Sequence, residues 1–435
     1  MRKYLTLLLL LFGCQKIETS FKVATTGSDL RSAISNKPNI ILIVGDDVGY
    51  ELLSCNGGQS YETPNLDAMA SAGVRYTNCY GSPDCATSRC MILTGKYNFR
   101  NYTKWGFMDT SNRTIGNMLQ DAGYSTCYAG KWQLDGYDPS IRALGFEKYS
   151  IWDPGLLADA GSRYKNPHIY QDGRFLPDSV TLNKYGDDWF SDYIFHFIDS
   201  SSKPYFVYYS MSLCHNPFSP PPDNKAFATW DPNDEGNTRF FDGMVRYMDG
   251  KIGQIIDSVD KNTVIIYVGD NGTPSSIYSL WNGDTIIGGK GETTVYGTHV
   301  PLISYRKGYP SSTDSSLIDF TDFLPTLASI ANIPVPNDYG VFDGISFYPP
   351  PSKREWIFCH FEPHPRGIRG DIATWVQNKV YKRYGAQDTL GEKMNRLYNI
   401  VLDPYEERPI KRSKETPEEQ YIDSAFKAIL TKMHN

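Results

Sequence analysis

Two acidic pairs far apart in the chain, Asp46-Asp47 and Asp270-Asn271, bring together three carboxylates and an amide. Hard oxygen donors of this kind suit Ca²⁺ or Mg²⁺ and are wrong for zinc; the neutral amide and the open ligand set favour Ca²⁺. Arg89, Lys131 and Lys290 supply the positive charge that a concentration of carboxylates needs. A metal among cations is a receptor for a tetrahedral oxyanion, and Cys85 is the candidate nucleophile. It opens the stretch Cys85-Ala86-Thr87-Ser88-Arg89-Cys90-Met91-Ile92-Leu93-Thr94-Gly95. A polar head running into an apolar turn closed by glycine predicts the first turns of a buried helix, with Cys85 at or just before its N-terminus. Free N–H groups and the helix dipole favour negative charge there, so the thiol is expected to titrate low. The chemistry that follows is hydrolysis of a sulfuryl or phosphoryl ester, and these residues alone leave both open.

Such a set needs a frame. The β-branched run Asn39–Val44, bounded by Pro38 and Gly45, reads as a strand buried on both faces. It empties into Asp46-Asp47. Ser125–Ala129 likewise empties into Gly130-Lys131-Trp132-Gln133, and Pro204–Tyr209 leads to Cys214-His215. Thr263–Val268 delivers Asp270-Asn271, and Pro301–Ile303 is a short fifth strand. Open α/β sheets bind ligands outside the carboxyl ends of their strands, which is where these residues fall. Helices are expected from Thr63 as N-cap to Gly73, over Thr114–Ala122, over Asp187–Ile198 and over Phe240–Val259. Asp135 to Asn183 lacks periodicity and reads as loop-rich decoration over the sheet edge, a usual seat of specificity. Its aromatics, and those near Trp105-Gly106-Phe107, could stack on sugar rings. The predicted fold is α/β, a large mainly parallel sheet sandwiched by helices.

The 435 residues carry a formal net charge of −6, which argues against a nucleic-acid partner. An anionic substrate stays open, because local cations or a metal can reverse the field inside one cleft. Arg2 and Lys3 precede the apolar run Leu5–Phe12 and then Gly13-Cys14, a secretory signal too short for a membrane span. Leu11-Phe12-Gly13-Cys14 resembles a bacterial lipobox, which would leave Cys14 lipidated. The expectation is an exported lipoprotein on the periplasmic or cell-surface face, held to the membrane by lipid only. The domains are read as a signal and lipobox over 1–14 and a polar tether over 15–37. A catalytic domain follows over 38–345, then a C-terminal subdomain and tail over 346–435. Eight cysteines show no C-x-x-C spacing, so zinc-ribbon or thioredoxin-like chemistry is not expected. From Lys411 the tail is too polar and irregular to read.

From about Asn39 to Pro409 the chain resembles a type I, formylglycine-dependent sulfatase of the alkaline phosphatase superfamily. Cys85 to Gly95 is similar to the family's C-x-P-S-R…L-T-G signature. Ile43–Tyr50 and Thr63-Pro64-Asn65-Leu66-Asp67 match its opening. Gly130-Lys131-Trp132, Gly269-Asp270-Asn271-Gly272, Gly289-Lys290-Gly291 and Gly297-Thr298-His299-Val300-Pro301 follow in the family's order, as do Pro325-Thr326-Leu327 and Leu397-Tyr398-Asn399.

The resemblance implies an alkaline-phosphatase-like sheet with a small C-terminal α+β subdomain carrying an antiparallel sheet. It implies that Cys85 is oxidised to formylglycine (3-oxoalanine) by a formylglycine-generating or anaerobic sulfatase-maturating enzyme. Hydrated to a gem-diol, that group would attack sulfur with one hydroxyl and expel sulfate by collapse of the other. Asp46, Asp47, Asp270 and Asn271, with the modified Cys85, would hold Ca²⁺, ahead of Mg²⁺. Arg89 would hold the diol, while Lys131 and Lys290 would neutralise sulfate oxygens. The implied substrate is a sulfated carbohydrate.

Four positions depart from the family pattern. Thr87 stands where the maturation signature has proline, Gln133 and Phe218 where it has histidines, and His299 where arginine is common. Gln133 and His299 are expected beside the substrate. His215 is the best remaining general acid, with His299 behind it. Two other readings stay open: a phosphomonoesterase or phosphodiesterase on the same metal frame, and a catalytically silent sulfoglycan-binding lipoprotein.

Overall fold

The computed structural model describes residues 37–104, 106–157, 160–362, 372–386 and 391–434. The signal with Cys14, the tether up to residue 36 and Trp105 lie outside the described residues. Ten strands form the large sheet: β1 (Asn39–Gly45), β2 (Val74–Tyr80), β3 (Ser125–Lys131), β4 (Lys148–Trp152), β5 (Tyr170–Gln171), β6 (Arg174–Phe175), β7 (Tyr205–Ser210), β8 (Thr263–Gly269), β9 (His299–Arg306) and β10 (Ser312–Asp319). Their spatial order is β10-β2-β9-β8-β1-β7-β3-β4-β5-β6. β8, β1, β7, β3 and β4 run parallel at the centre. The sheet as a whole is mixed, because β9 is antiparallel to both β8 and β2, and β5 is antiparallel to β4.

The central strands are apolar on both faces because both faces are covered. Ile40, Leu42 and Val44 of β1 join one buried cluster, and Ile41 and Ile43 join the other. On the first face lie α2 (Cys85–Thr94), α3 (Ile115–Asp121) and α6 (Phe323–Ala331), contributing Ile92, Leu119 and Leu327. On the second lie α1 (Pro64–Ala72), α4 (Gly186–Ser200) and α5 (Phe241–Ser258), contributing Leu66, Phe190 and Ile252. Each such side chain contributes about 1.5–3 kcal/mol by leaving water, so the frame is held independently of the site at its edge.

Several sequence expectations are corrected. Thr63 does not cap α1 with its side chain; instead Asp249 of α5 accepts the N–H groups of Asn65 and Leu66 at 3.0 and 2.9 Å. The short strand at Pro301 is the eight-residue β9. Within Asp135–Asn183 the chain forms the helical segment Tyr137–Ala143 and the strands β4, β5 and β6, so the supposed decoration extends the sheet itself. The polar tail carries α7 (Pro417–His434), whose Phe426 and Leu430 are buried in the first core cluster. Their spacing of four places both on one helix face, a pattern diluted by the acids around it.

A four-stranded antiparallel sheet, β11 (Ile357–Phe361), β12 (Ala373–Gln377), β13 (Tyr381–Tyr384) and β14 (Leu397–Asn399), follows in simple meander order. All seven described cysteines are free. No helix among the described residues is long and apolar enough to cross a membrane.

Candidate active site

Parallel register aligns the strand ends. Gly45 of β1 pairs with Gly269 of β8, so Asp46 and Asp270 leave adjacent strands side by side. Asp47 adopts a left-handed backbone, φ 60°, a conformation aspartate tolerates better than most residues. Its N–H donates to Asp270 Oδ1 at 3.0 Å. On the other side of β1, the register of β7 and β3 sets Lys131 level with the same edge.

α2 points its first turn into this edge, and all of its residues are buried. Cys85 Sγ lies 3.1 Å from Asp84 Oδ1 and 3.5 Å from Gln133 Oε1. Burial, with Asp84 adding to it, pushes the thiol up to about 12 despite Lys131 nearby. The expectation of a low-titrating thiol is therefore wrong: desolvation outweighs the helix dipole where water is excluded. One turn on, Arg89 donates from Nε and Nη2 to Asp270 Oδ2 at 3.2 and 2.8 Å, and Nη2 lies 3.5 Å from Asp46 Oδ1. Its Nη1 donates to the Lys131 carbonyl at 3.3 Å and to Ser210 Oγ.

Lys131 Nζ donates to both Asp46 oxygens, at 3.0 and 2.7 Å. Lys290 Nζ donates to Asp47 Oδ2 at 2.7 Å, and Asn271 Nδ2 to Asp47 Oδ1 at 2.8 Å. Burial opposes charge on Asp46, yet the surrounding cations, Lys131 first, hold it well below the usual carboxylate range. Burial and the Asp46 charge push Asp270 up to about 7, against Arg89. Asp47 is raised by burial and by Asp46, against Lys290. Side-chain cations thus settle the charge on Asp46, while Asp47 and Asp270 stay raised by burial and by that charge.

A divalent cation fits this set. The donors are hard oxygens, and Asn271 Oδ1 is buried with no hydrogen-bond partner. Such an orphan costs about 1–3 kcal/mol unless something else satisfies it. Ligand atoms of Asp46, Cys85 and Asp270 lie within 4.8 Å of one another, as do those of Asp46, Asp47 and His215.

His215 Nε2 stands 3.9 Å from Asp47 Oδ2. Its Nδ1 is 2.5 Å from the Asn216 carbonyl, so Nδ1 carries the proton and Nε2 of the neutral ring is an acceptor. Burial, then Lys290 and Lys131, push its titration well below the usual histidine value. Gln133 joins the cluster through Cys85. His299 does not: its ring stacks on Tyr50 at 4.0 Å and Tyr80 at 4.9 Å, and its Nε2 meets the Thr77 carbonyl at 3.0 Å. Phe218 packs edge-on against Phe241 in the core. Thr87 Oγ1 lies 2.8 Å from both the Asp84 carbonyl and Ser82 Oγ, so the residue at the proline position ties down the first turn of α2.

Sequence reasoning missed Ser210 and Arg163. Ser210 ends β7 and falls under the same strand-end rule as the others. Arg163, 3.9 Å from Asp46 Oδ2, comes from a segment with no periodic signal.

The family model described as Sulfatase matches residues 38–333. The chain is 28% identical over 371 residues to arylsulfatase G of Rattus norvegicus, covering 71% of this chain and 68% of that protein. Among solved structures it is similar to Ps i-CgsB in complex with k-i-k-neocarrahexaose, with TM-score 0.74 and 22% identity over 91% of this chain and 92% of that one. BT4656 in complex with its substrate D-glucosamine-2-N,6-O-disulfate gives 0.73 and 21% over 91% and 97%. At such identity the structural likeness is one of fold, and it agrees with the match to the family model. The chain belongs to the type I sulfatase family of the alkaline phosphatase superfamily and is a sulfuric ester hydrolase.

Proposed function

We propose that the enzyme removes sulfate from sulfated glycans with a formylglycine made from Cys85 and a calcium ion. The observation that carries this reading is the buried edge where Asn271 Oδ1, without a partner, and the carboxylates of Asp46, Asp47 and Asp270 gather at the first turn of α2. Calcium, held by Asp46, Asp47, Asp270 and Asn271, would act as a Lewis acid towards sulfate oxygens. Oxidation of the Cys85 thiol to an aldehyde by a maturation enzyme would supply a hydratable group there, and with it the attacking hydroxyl.

The chain's own residues do the rest. Arg89, fixed by Asp270, orients the group at position 85. With a cation held by Asp46 and Asp47, Lys131 and Lys290 would be free to hold the sulfate oxygens as charge develops. Gln133 Oε1, already beside the Cys85 side chain, accepts a hydrogen bond from it. His215 keeps Nε2 unprotonated, so it takes a proton from the nucleophile before passing one to the leaving alcohol oxygen. The glycan class is supported by the two solved relatives whose complexes hold a neocarrahexaose and a disulfated glucosamine. Export and lipid attachment at Cys14 are proposed on the lipobox-like sequence alone.

Mass spectrometry of the peptide spanning Cys85, from protein made in its native host, tests the reading. An aldehyde or its hydrate is expected, and an intact thiol on essentially every molecule would overturn it. Thr87→Pro restores the proline of the family's maturation signature, removes no N–H that the first turn of a helix needs, and should raise the converted fraction. Paired aryl sulfate and aryl phosphate assays should favour the sulfate; faster phosphate turnover would overturn the substrate class.

A further inference from the structure

Arg163 stands at the site edge with no role yet accounted for. Its guanidinium carbon lies over the Trp152 ring, 3.9 Å from the centroid, and its Nη1 is 3.9 Å from Asp46 Oδ2. Nη1 is buried and has no hydrogen-bond partner. An unmet buried donor is destabilising, a cost that an arriving ligand oxygen would remove. The segment around it is fastened on both sides. Tyr164 OH lies 2.6 Å from the Ser212 carbonyl and 2.5 Å from that of His215. Lys165 Nζ donates to the carbonyls of Phe227, Ala228 and Trp230 at 2.9, 3.0 and 2.9 Å. Trp152 in turn pairs in register with Lys131 at the ends of β4 and β3. Guanidinium and ammonium therefore converge on one oxygen, Asp46 Oδ2, which Lys131 reaches at 2.7 Å.

Exposure gives the direction of approach. The side chains of Asp46 and Lys131 are sealed, while Lys290 is 23% exposed, His215 15% and Arg163 11%. These three, unlike the sealed pair, are reached by solvent, and so mark the side from which an ester would arrive.

We infer that Arg163 binds an oxygen of the sulfate being cleaved, as a third cation beside Lys131 and Lys290. The inference rests on the sulfate-ester reading of the site. The cation–ring contact with Trp152 holds the fork in place, so little freedom is lost when the oxyanion arrives. A rigid, always-charged donor also suits the departing sulfate, whose charge grows on the oxygens as the ester bond breaks.

The test compares calcium-loaded wild type with Arg163→Gln and Arg163→Lys. Inorganic sulfate is the probe in calorimetry, and an aryl sulfate and a disulfated monosaccharide are the substrates in steady-state assays. Arg163→Gln should weaken sulfate binding, and lower kcat/KM on the aryl sulfate, by about tenfold to a hundredfold, the range of a hydrogen bond to a charged group. Arg163→Lys should restore part of both, and the melting midpoint should not move. Sulfate affinity and aryl sulfate kcat/KM within about twofold of wild type in both variants would overturn the inference. So would a loss confined to the disulfated sugar, which would move Arg163 to a second substituent, or a lowered midpoint with unchanged affinity. If wild type binds sulfate yet turns over no aryl sulfate, the catalytic reading fails, while the affinity comparison still decides the role of Arg163.

Discussion

Asn271 gives its Nδ2 to Asp47 Oδ1 at 2.8 Å and keeps its own Oδ1 buried without a partner. One amide therefore does two things: it fixes the orientation of Asp47 and holds a lone pair ready. Asn271→Ala should weaken calcium binding at least about tenfold, since even residues that only orient metal ligands are worth about 10–100-fold. Calorimetry on chelator-stripped protein measures it. Calcium at about one hundred times Kd adds about 2.7 kcal/mol of stability, so chelation should lower the melting midpoint of wild type and lower that of the variant much less.

Asp270 carries more than a ligand role. It accepts both Arg89 nitrogens and the Asp47 N–H. Asp270→Ala would leave Arg89 with Asp46 at 3.5 Å as its nearest carboxylate. The unmatched buried charge should cost about 3–5 kcal/mol in denaturant unfolding. Calcium binding and turnover should both be lost. Undiminished calcium affinity would remove Asp270 from the ligand set.

His215→Ala should hurt esters with poor leaving groups most. A nitrophenolate departs without help, whereas a sugar alkoxide needs the proton that Nε2 relays. Rates across a series of aryl and alkyl sulfates give the slope against leaving-group pKa. An equal loss on activated and unactivated esters would refute a role in proton transfer.

His299 makes stability depend on pH from outside the cluster. Burial lowers its titration to about 4, from an ordinary value of 6.5. Between those values the unfolded chain binds the proton and the native ring does not, so stability rises with pH across this window and falls as pH drops through it. The ceiling is about 3 kcal/mol, less the fraction that the partly exposed ring recovers from solvent. His299→Phe keeps a ring between Tyr50 and Tyr80 and should flatten the unfolding free energy between pH 4 and 6.5 relative to wild type. His215 titrates in both proteins, so the difference isolates His299.

Much of the site was legible because it hangs on strands that are apolar on both faces. Such runs stand out in a single sequence, and the residues after them mark the sheet edge. Asp46, Asp47, Lys131, His215, Asp270 and Asn271 were found in this way, and the polar head, apolar turn and glycine stop of α2 placed Cys85. The strands β2 and β10 were not found. Val74-Arg75-Tyr76-Thr77-Asn78-Cys79-Tyr80 alternates poorly and is only half buried, because it lies near the sheet's margin with β10 as its outer neighbour. Its pairing with β9 and β10, which are remote in sequence, is what makes it a strand.

The local chain by itself determined which residues end the central strands and where α2 begins, because hydrophobic periodicity and turn chemistry act over a few residues. Only the tertiary structure decided which side chains share the cleft. His299 was expected beside the substrate, but its ring packs between Tyr50 and Tyr80, apart from the carboxylate cluster. Arg163 was not expected, yet its contact with the Trp152 ring holds it beside Asp46. The Cys85 thiol follows the same rule: the helix start is written locally, but the exclusion of water that pushes it up to about 12 is made by the whole fold. Burial and charge depend on every element that converges on a point, and no short window of sequence contains that information.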